Sequence, residues 1–396
     1  MNVLQLGKYY YPYMGGIENH LYLLCNELKQ KVDLDVLVCN SERTSTVEEV
    51  DGVRVTRCFE LTNVASTSIC PTMPLELSRR RYDLVHFHFP HPMAVLSYLL
   101  ARPAHAHSVV ITYHSDILKQ KRLLRVYRSF MDRVLERADA IVCTSPNYLE
   151  GSDALRPHRD KCTVIPYGID RSQFERTREL EEQAAAIRAR YPGRRLVLGV
   201  GRLIYYKGFE YVIRAMRDVD ADLLLVGSGP LRPALEKAAH EAGVAQRVHF
   251  VGEVHNQALA PYYFASEVYA LPSIARSEAF AIVQLEAMAC DLPVVNTAIP
   301  RSGVSFVSRD GESGLTVPPE DAAAFAGALK TILGDENLAR RFGAAGRARV
   351  QREFSKEVMT ERMLALYAET QAKRERHASD RRSGAARPPE PAALDS

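Results

Sequence analysis

Two glutamates, Glu278 and Glu286, stand with seven residues between them in Ser277-Glu278-Ala279-Phe280-Ala281-Ile282-Val283-Gln284-Leu285-Glu286. The apolar run Val268–Leu271 before them reads as a strand closed by Pro272-Ser273, and Ala287-Met288-Ala289 continues a helix to Asp291. Glu278 is then expected at the helix mouth and Glu286 about two turns inside. A helix start presents backbone amides with no partner inside the helix, here near Phe280, Ala281 and Ile282, together with the positive end of the backbone dipole. That combination suits an anion or a hydroxyl. A carboxylate beside it can accept hydrogen bonds from sugar or ribose hydroxyls. Acidic first turns are also common for dipole reasons alone, so at this point both readings stand.

A second group is Gly199-Val200-Gly201-Arg202-Leu203-Ile204-Tyr205-Tyr206-Lys207-Gly208. A strand ends, glycines let the chain turn, and two cations follow five residues apart. Arg202, with its fork of donors, and Lys207, as a point charge, suit a diphosphate. The alternative is a pair of solvated loop charges. Gly227-Ser228-Gly229-Pro230-Leu231-Arg232 has Arg where the third glycine of a dinucleotide fingerprint belongs, so it reads as a tight turn lining the same cleft. Gly15-Gly16 lies between the first strand and its helix, where paired glycines allow a ligand close to the backbone.

These groups need scaffolds. Asn2–Gly7, a loop and the helical pattern Ile17–Lys29 form a strand–loop–helix opening, and short apolar runs recur at Val36–Cys39, Leu84–His88, Val109–Thr112, Ala140–Thr144 and Cys162–Ile165. After a charged stretch, a second series covers Arg195–Val200, Asp222–Val226, Val248–Phe250, Val268–Leu271 and Leu292–Val295. Apolar runs alternating with helices predict parallel strands buried on both faces. The expected organisation is a Rossmann-like domain over 1–170, a second over 171–345, a C-terminal helix over 346–370 packing back across the domains, and a disordered tail over 371–396. A chain of 396 residues suits such a division. Doubly wound domains place ligands at the carboxyl ends of their strands, and the groups above fall there.

Composition excludes several classes. A hydrophobic fraction of 46% rules out disorder for the body of the chain, and a net charge of +3 gives no case for nucleic-acid binding. Seven scattered cysteines without C-x-x-C indicate reduced thiols in a cytosolic protein. No signal peptide is evident, and no apolar run approaches the roughly 20 residues of a membrane helix. Six of the twelve histidines lie between 86 and 114: His86, His88, His91, His105, His107 and His114. Nothing in their spacing fixes a metal geometry, so packing or cleft lining is preferred and no metal site is expected. Asp33-Leu34-Asp35 has the form of a metal-binding D-x-D but sits at a strand start, away from the ligand-facing ends.

Taken in order and spacing, these segments resemble the family 4 glycosyltransferases of GT-B type. The resemblance runs from Tyr11-Pro12-Tyr13-Met14-Gly15-Gly16-Ile17-Glu18 to about Asp321. It includes Thr112-Tyr113-His114-Ser115-Asp116, Val164-Ile165-Pro166-Tyr167-Gly168-Ile169-Asp170, the two glycine turns and the Glu278/Glu286 pair. It implies an α/β GT-B fold, two Rossmann-like doubly wound parallel-sheet domains facing a central cleft. It also implies a retaining transferase that moves a sugar from a nucleotide diphosphate and needs no cofactor or bound metal. Arg202 and Lys207 would then steady the leaving diphosphate, Glu278 the donor-sugar hydroxyls and Glu286 the ribose, with Gly15, Gly16, Gly229 and the Phe280–Ala281–Ile282 segment around the donor. His114 corresponds to the family histidine near the reacting sugar.

Stretches His114–Arg122 and Asn296–Pro318 most resemble bacterial mannosyltransferases and deoxymannosyltransferases of polysaccharide assembly. That implies a GDP-sugar donor carrying mannose or a deoxymannose such as rhamnose, and a lipid-linked glycan acceptor of O-antigen or exopolysaccharide synthesis. Ala281 departs from the pattern, standing where glycine commonly follows the Phe; Asp291 and Ser305 depart too. The basic amphipathic stretch Lys119–Arg137, with Lys121, Arg125 and Arg128 at helical spacing, suits either packing on its own domain or peripheral contact with the anionic inner face of the cytoplasmic membrane. Two other classes fit the scaffold: a nucleotide-sugar epimerase or hydrolase, and a non-catalytic sugar-nucleotide binding module.

Overall fold

The computed structural model describes residues 1–384 except 14, 65–66, 102–106, 117–120 and 256–257, and for 121–126 and 377–384 the backbone alone. Two sheets carry the fold. The first contains β1 (Asn2–Leu6), β2 (Asp33–Cys39), β3 (Thr46–Val50) and β4 (Val53–Cys58); β5 (Thr62–Val64) and β6 (Thr67–Ile69) form a separate hairpin. β7 (Leu84–Phe89), β8 (Ser108–Tyr113), β9 (Ala140–Cys143) and β10 (Cys162–Val164) complete the first sheet, in the order β10-β9-β8-β7-β1-β2-β4-β3. All its pairings are parallel except β3 with β4.

The second sheet contains β11 (Leu196–Val200), β12 (Asp222–Val226), β13 (Val248–Gly252), β14 (Val268–Ala270), β15 (Val294–Thr297) and β16 (Gly314–Val317). Its order is β13-β12-β11-β14-β15-β16, all parallel. β7, β8, β11 and β12 are buried at every residue, which explains why they read as unbroken apolar runs. In this sheet β11 is flanked by β12 and β14, so the strand order reverses direction beside it and opens a crevice at the strand ends.

Two expectations are corrected. The helix after Glu278 begins only at Val283 and ends at Ala289, so Glu286 lies in its first turn rather than two turns inside. Residues 275–282 form turns instead, because Ala281 adopts φ +63°, a left-handed conformation that a helix cannot continue through. The tail expected to lack structure from 371 onward instead extends the last helix, Lys356–Gly384. Its remainder, 385–396, lies outside the described residues, as do Met14 and His105.

That last helix packs on the first sheet. Met359, Met363, Leu366 and Tyr367 join Val3, Leu24, Leu28, Leu84, Val110, Ala140 and Val142 in one buried cluster. The preceding helix, Glu336–Glu353, serves the second sheet through Phe342 and Val350. Lys356 ties their junction to the first half by ion pairs of 3.1 Å to both Glu27 and Asp170. No helix among the described residues is long and apolar enough to cross a membrane.

Candidate active site

The chain leaving β11 turns back at once. Gly208, at φ +63°, ends this loop where an added Cβ would lie 2.1 Å from the Pro272 carbonyl oxygen, so only glycine lets the loop press against the chain leaving β14. The Ile274 amide donates to the Tyr206 carbonyl at 2.9 Å across that contact. The result places Lys207 against Glu278, with Nζ 2.6 Å from a carboxylate oxygen and side chains only 10% and 9% exposed. Ser273 donates to the same carboxylate oxygen at 3.0 Å, and Ser302 donates to the Glu278 carbonyl. One charged pair thus closes the switch-point crevice.

Glu286 lies one helical turn along and accepts a 2.6 Å hydrogen bond from the Tyr263 hydroxyl. Burial raises its carboxyl above the ordinary glutamate range, opposed by that bond and by the charge of Lys207. Arg202 is exposed, and its charge reaches Glu18 of the other half of the molecule. Gly229 lies against the Leu203 backbone and so holds the β12 turn beside Arg202. From the opposite domain, Gly16 opens the helix Gly16–Leu28, and its Cβ direction faces no atom within 4 Å. Gly15 abuts the Glu18 carboxylate. Burial raises the Glu18 carboxyl, and Lys8 and Arg202 partly oppose that.

Phe280 is buried against Tyr167, with ring centroids 4.9 Å apart, and against Phe354, so its side chain joins the halves rather than lining a cavity. Ile282 caps the short helix without a side-chain hydrogen bond.

His114 follows β8 directly and is 2% exposed. Both of its ring nitrogens are engaged: Nδ1 with the Tyr167 hydroxyl and Nε2 with His88 Nδ1, the latter at 3.0 Å. Burial among other imidazoles holds it neutral, well below the ordinary histidine range. Two of the histidines grouped in sequence have partners elsewhere. His107 meets the Tyr98 hydroxyl at 2.6 Å, and His91 lies 3.9 Å from Cys39 Sγ. His20, from the first helix, joins His88 and His114 instead, each offering a nitrogen within 4.8 Å of the others. The facing nitrogens of His88 and His114 are hydrogen-bonded, whereas both ring nitrogens of His20 have no hydrogen-bond partner among the described residues.

Sequence reasoning assigned no role to Arg276, which spans the cleft. It pairs with Asp116 at 2.9 Å, lies 4.4 Å over the Tyr148 ring and donates from Nε to the Arg301 carbonyl at 3.0 Å. Nothing in its local spacing marks it, since its partner lies 160 residues upstream. Tyr167 and Glu18 stood inside quoted segments and could have been found there.

The first half matches the model of Glycosyltransferase Family 4 over residues 14–173, and the second that of Glycosyl transferases group 1 over 181–349. The chain is 34% identical over 364 residues to D-rhamnosyltransferase WbpZ of Pseudomonas aeruginosa, covering 90% of this chain and 92% of that protein. The chain belongs to glycosyltransferase family 4. It is also 31% identical over 371 residues to O-antigen chain mannosyltransferase C of Escherichia coli, covering 93% and 98%. Among solved structures, sucrose-phosphate synthase from Thermosynechococcus elongatus superposes with a TM-score of 0.77 at 27% identity, over 94% of this chain and all of the other. Anabaena Alr3699/HepE in complex with UDP gives 0.74 at 18% identity, over 93% and 100%, a likeness of fold. This family 4 enzyme is a glycosyltransferase with the two-sheet GT-B architecture.

Proposed function

We propose that the enzyme transfers mannose, or a deoxymannose such as rhamnose, from a GDP-sugar to a lipid-linked glycan in O-antigen or exopolysaccharide synthesis, with retention at the anomeric carbon. The relatives named as an O-antigen mannosyltransferase and a rhamnosyltransferase support the sugar class. The observation that carries the chemistry is the buried Lys207–Glu278 pair at the switch point of the second sheet. A diphosphate arriving there gives Lys207 a second anionic partner, and Glu278 then has acceptor capacity for a sugar hydroxyl. In transfer, the bond from the anomeric carbon to the diphosphate oxygen breaks, and one to the acceptor hydroxyl oxygen forms on the same face. The hydroxyl proton leaves with the diphosphate. Arg202 and Lys207 meet the charge that develops on that leaving group, an electrostatic task that usually dominates such steps.

Incubation of the enzyme with GDP-, UDP- and ADP-sugars and crude lipid-linked acceptors tests this. Sugar transfer from a GDP-mannose-type donor is expected. Conversion of donor without acceptor points to the epimerase or hydrolase, and donor binding without turnover to a binding module. For membrane contact, the helix Lys121–Arg137 turns Met131, Val134 and Leu135 into the core and leaves Arg128 exposed beside Asp132. Reversing the charges of Lys121, Arg125 and Arg128 is expected to weaken binding to anionic vesicles, and unchanged binding removes that part of the proposal.

A further inference from the structure

His114 belongs to a chain of buried polar groups that runs from Tyr167 to Thr112. His88 Nε2 lies 2.9 Å from Gln5 Oε1, Gln5 Nε2 donates to the Tyr367 hydroxyl at 3.0 Å, that hydroxyl lies 2.6 Å from His86 Nδ1, and His86 Nε2 lies 2.7 Å from Thr112 Oγ1. Gln5, His86, His88, Thr112, His114 and Tyr367 are each at most 2% exposed.

The orientation of the Gln5 amide sets the protons on this chain. The Gln5 oxygen only accepts, so His88 carries its proton on Nε2 and leaves Nδ1 as an acceptor. His114 must then donate from Nε2, which leaves its Nδ1 to accept from the Tyr167 hydroxyl. At the other end, the Tyr367 hydroxyl receives the Gln5 amide and has its own proton left for His86 Nδ1. Every bond therefore runs in one direction, from Tyr167 to Thr112. A buried imidazole takes the tautomer its neighbours demand.

We propose that Tyr367, on the C-terminal helix, is a positioning residue that sets the tautomer of His114 through Gln5 and His88. The inference rests on the reading above for its consequence in transfer. Removing the Tyr367 hydroxyl strands the Gln5 amide donor. A buried unpaired N–H is rarer and costlier than an unpaired carbonyl, so the amide turns over and points its oxygen at the gap. Its NH₂ then faces His88 Nε2, His88 takes its proton on Nδ1 and donates to His114 Nε2, and His114 is left with the proton on Nδ1. The imidazole keeps its place while its donor and acceptor ends exchange.

The test uses the full-length enzyme labelled with ¹⁵N-histidine, in wild type, Tyr367→Phe and Gln5→Met, with His114 assigned from His114→Gln. The wild type is expected to show the protonated nitrogen of His114 at Nε2, and both variants to show it at Nδ1. Gln5→Met reaches the same end by removing the acceptor of His88, so a folding defect in one variant leaves the other to decide. In Tyr367→Phe, kcat is expected to fall roughly tenfold, the scale of losing an outer partner that orients a ring, with donor KM within about twofold. Retention of the Nε2 proton in both variants overturns the proposal, as does an inverted tautomer with unchanged kcat. An enzyme that transfers no sugar at all refutes the functional reading, while the resonance shift still decides the proton placement.

Discussion

The ammonium of Lys207 and the carboxylate of Glu278 approach to 2.6 Å at the foot of the crevice, although they come from loops after different strands. With so little water beside them, each is the other's main stabilisation. Lys207→Met is expected to leave a nearly buried carboxylate uncompensated and to cost about 3 kcal/mol of stability, together with roughly 100-fold or more in transfer. Lys207→Met with Glu278→Gln restores most of the stability and none of the turnover. Denaturant unfolding and initial rates on all three variants check this. Additive stability losses refute the pairing argument.

Ala281 occupies φ +63°, where its methyl meets the following carbonyl. Ala281→Gly is expected to stabilise the enzyme by about 1 kcal/mol, because glycine reaches this region without strain even though it loses more chain entropy on folding. A rise in melting temperature, with donor KM unchanged or lower, is the expected result. A destabilised Ala281→Gly enzyme shows that the methyl packs more usefully than its backbone is strained.

Five buried histidines make the protein acid-sensitive. Desolvation pushes His20, His86 and His91 down to about 3, and holds His88 and His114 well below the usual value. Their folded-state values lie below the unfolded one, so between about pH 3 and 6.5 the unfolded chain binds more protons. Stability is therefore complete well above pH 6.5 and is lost as pH falls through and beneath that value, by up to roughly 1.4 kcal/mol per histidine per pH unit. Urea midpoints are expected to fall slightly from pH 7.5 to 6.5 and sharply from 6.5 to 5.5. His20→Gln is expected to shallow that fall.

Arg276 holds the two halves together through Asp116, whose second oxygen accepts from Tyr113 and Ser152, each at 2.8 Å. Arg276→Gln removes the charge and the cover over Tyr148. The closed population is expected to fall and donor KM to rise about three- to tenfold, since apparent affinity scales with the competent fraction. Small-angle scattering checks it: the variant's radius of gyration exceeds that of the wild type and contracts on adding donor. Equal radii without donor count against a clamp.

Much of the scaffold was legible because its strands are buried on both faces, which makes Leu84–Phe89 or Asp222–Val226 visible as apolar runs. The antiparallel pair β3 and β4 was missed because Thr46–Val50 is mostly exposed and polar. Its one local mark was Asp51-Gly52, both at positive φ, the turn that a tight hairpin requires. At the site, the Lys207 and Glu278 loops were legible as glycine- and proline-punctuated strand ends. The His114 surroundings were not, since Gln5, His88, Tyr167 and Tyr367 come from four distant elements and nothing in local spacing records that they meet.

The helix that begins at Lys356 carries a consequence for synthesis. Met359, Met363 and Tyr367 are the last parts of a core whose other members, Val3, Leu24 and Leu84, leave the ribosome first. The opening sheet must wait, with an apolar groove bare to solvent or to a chaperone, until synthesis has passed Tyr367. A stop codon shortly before position 356 would truncate little of the second sheet's domain and yet leave the first one unfinished.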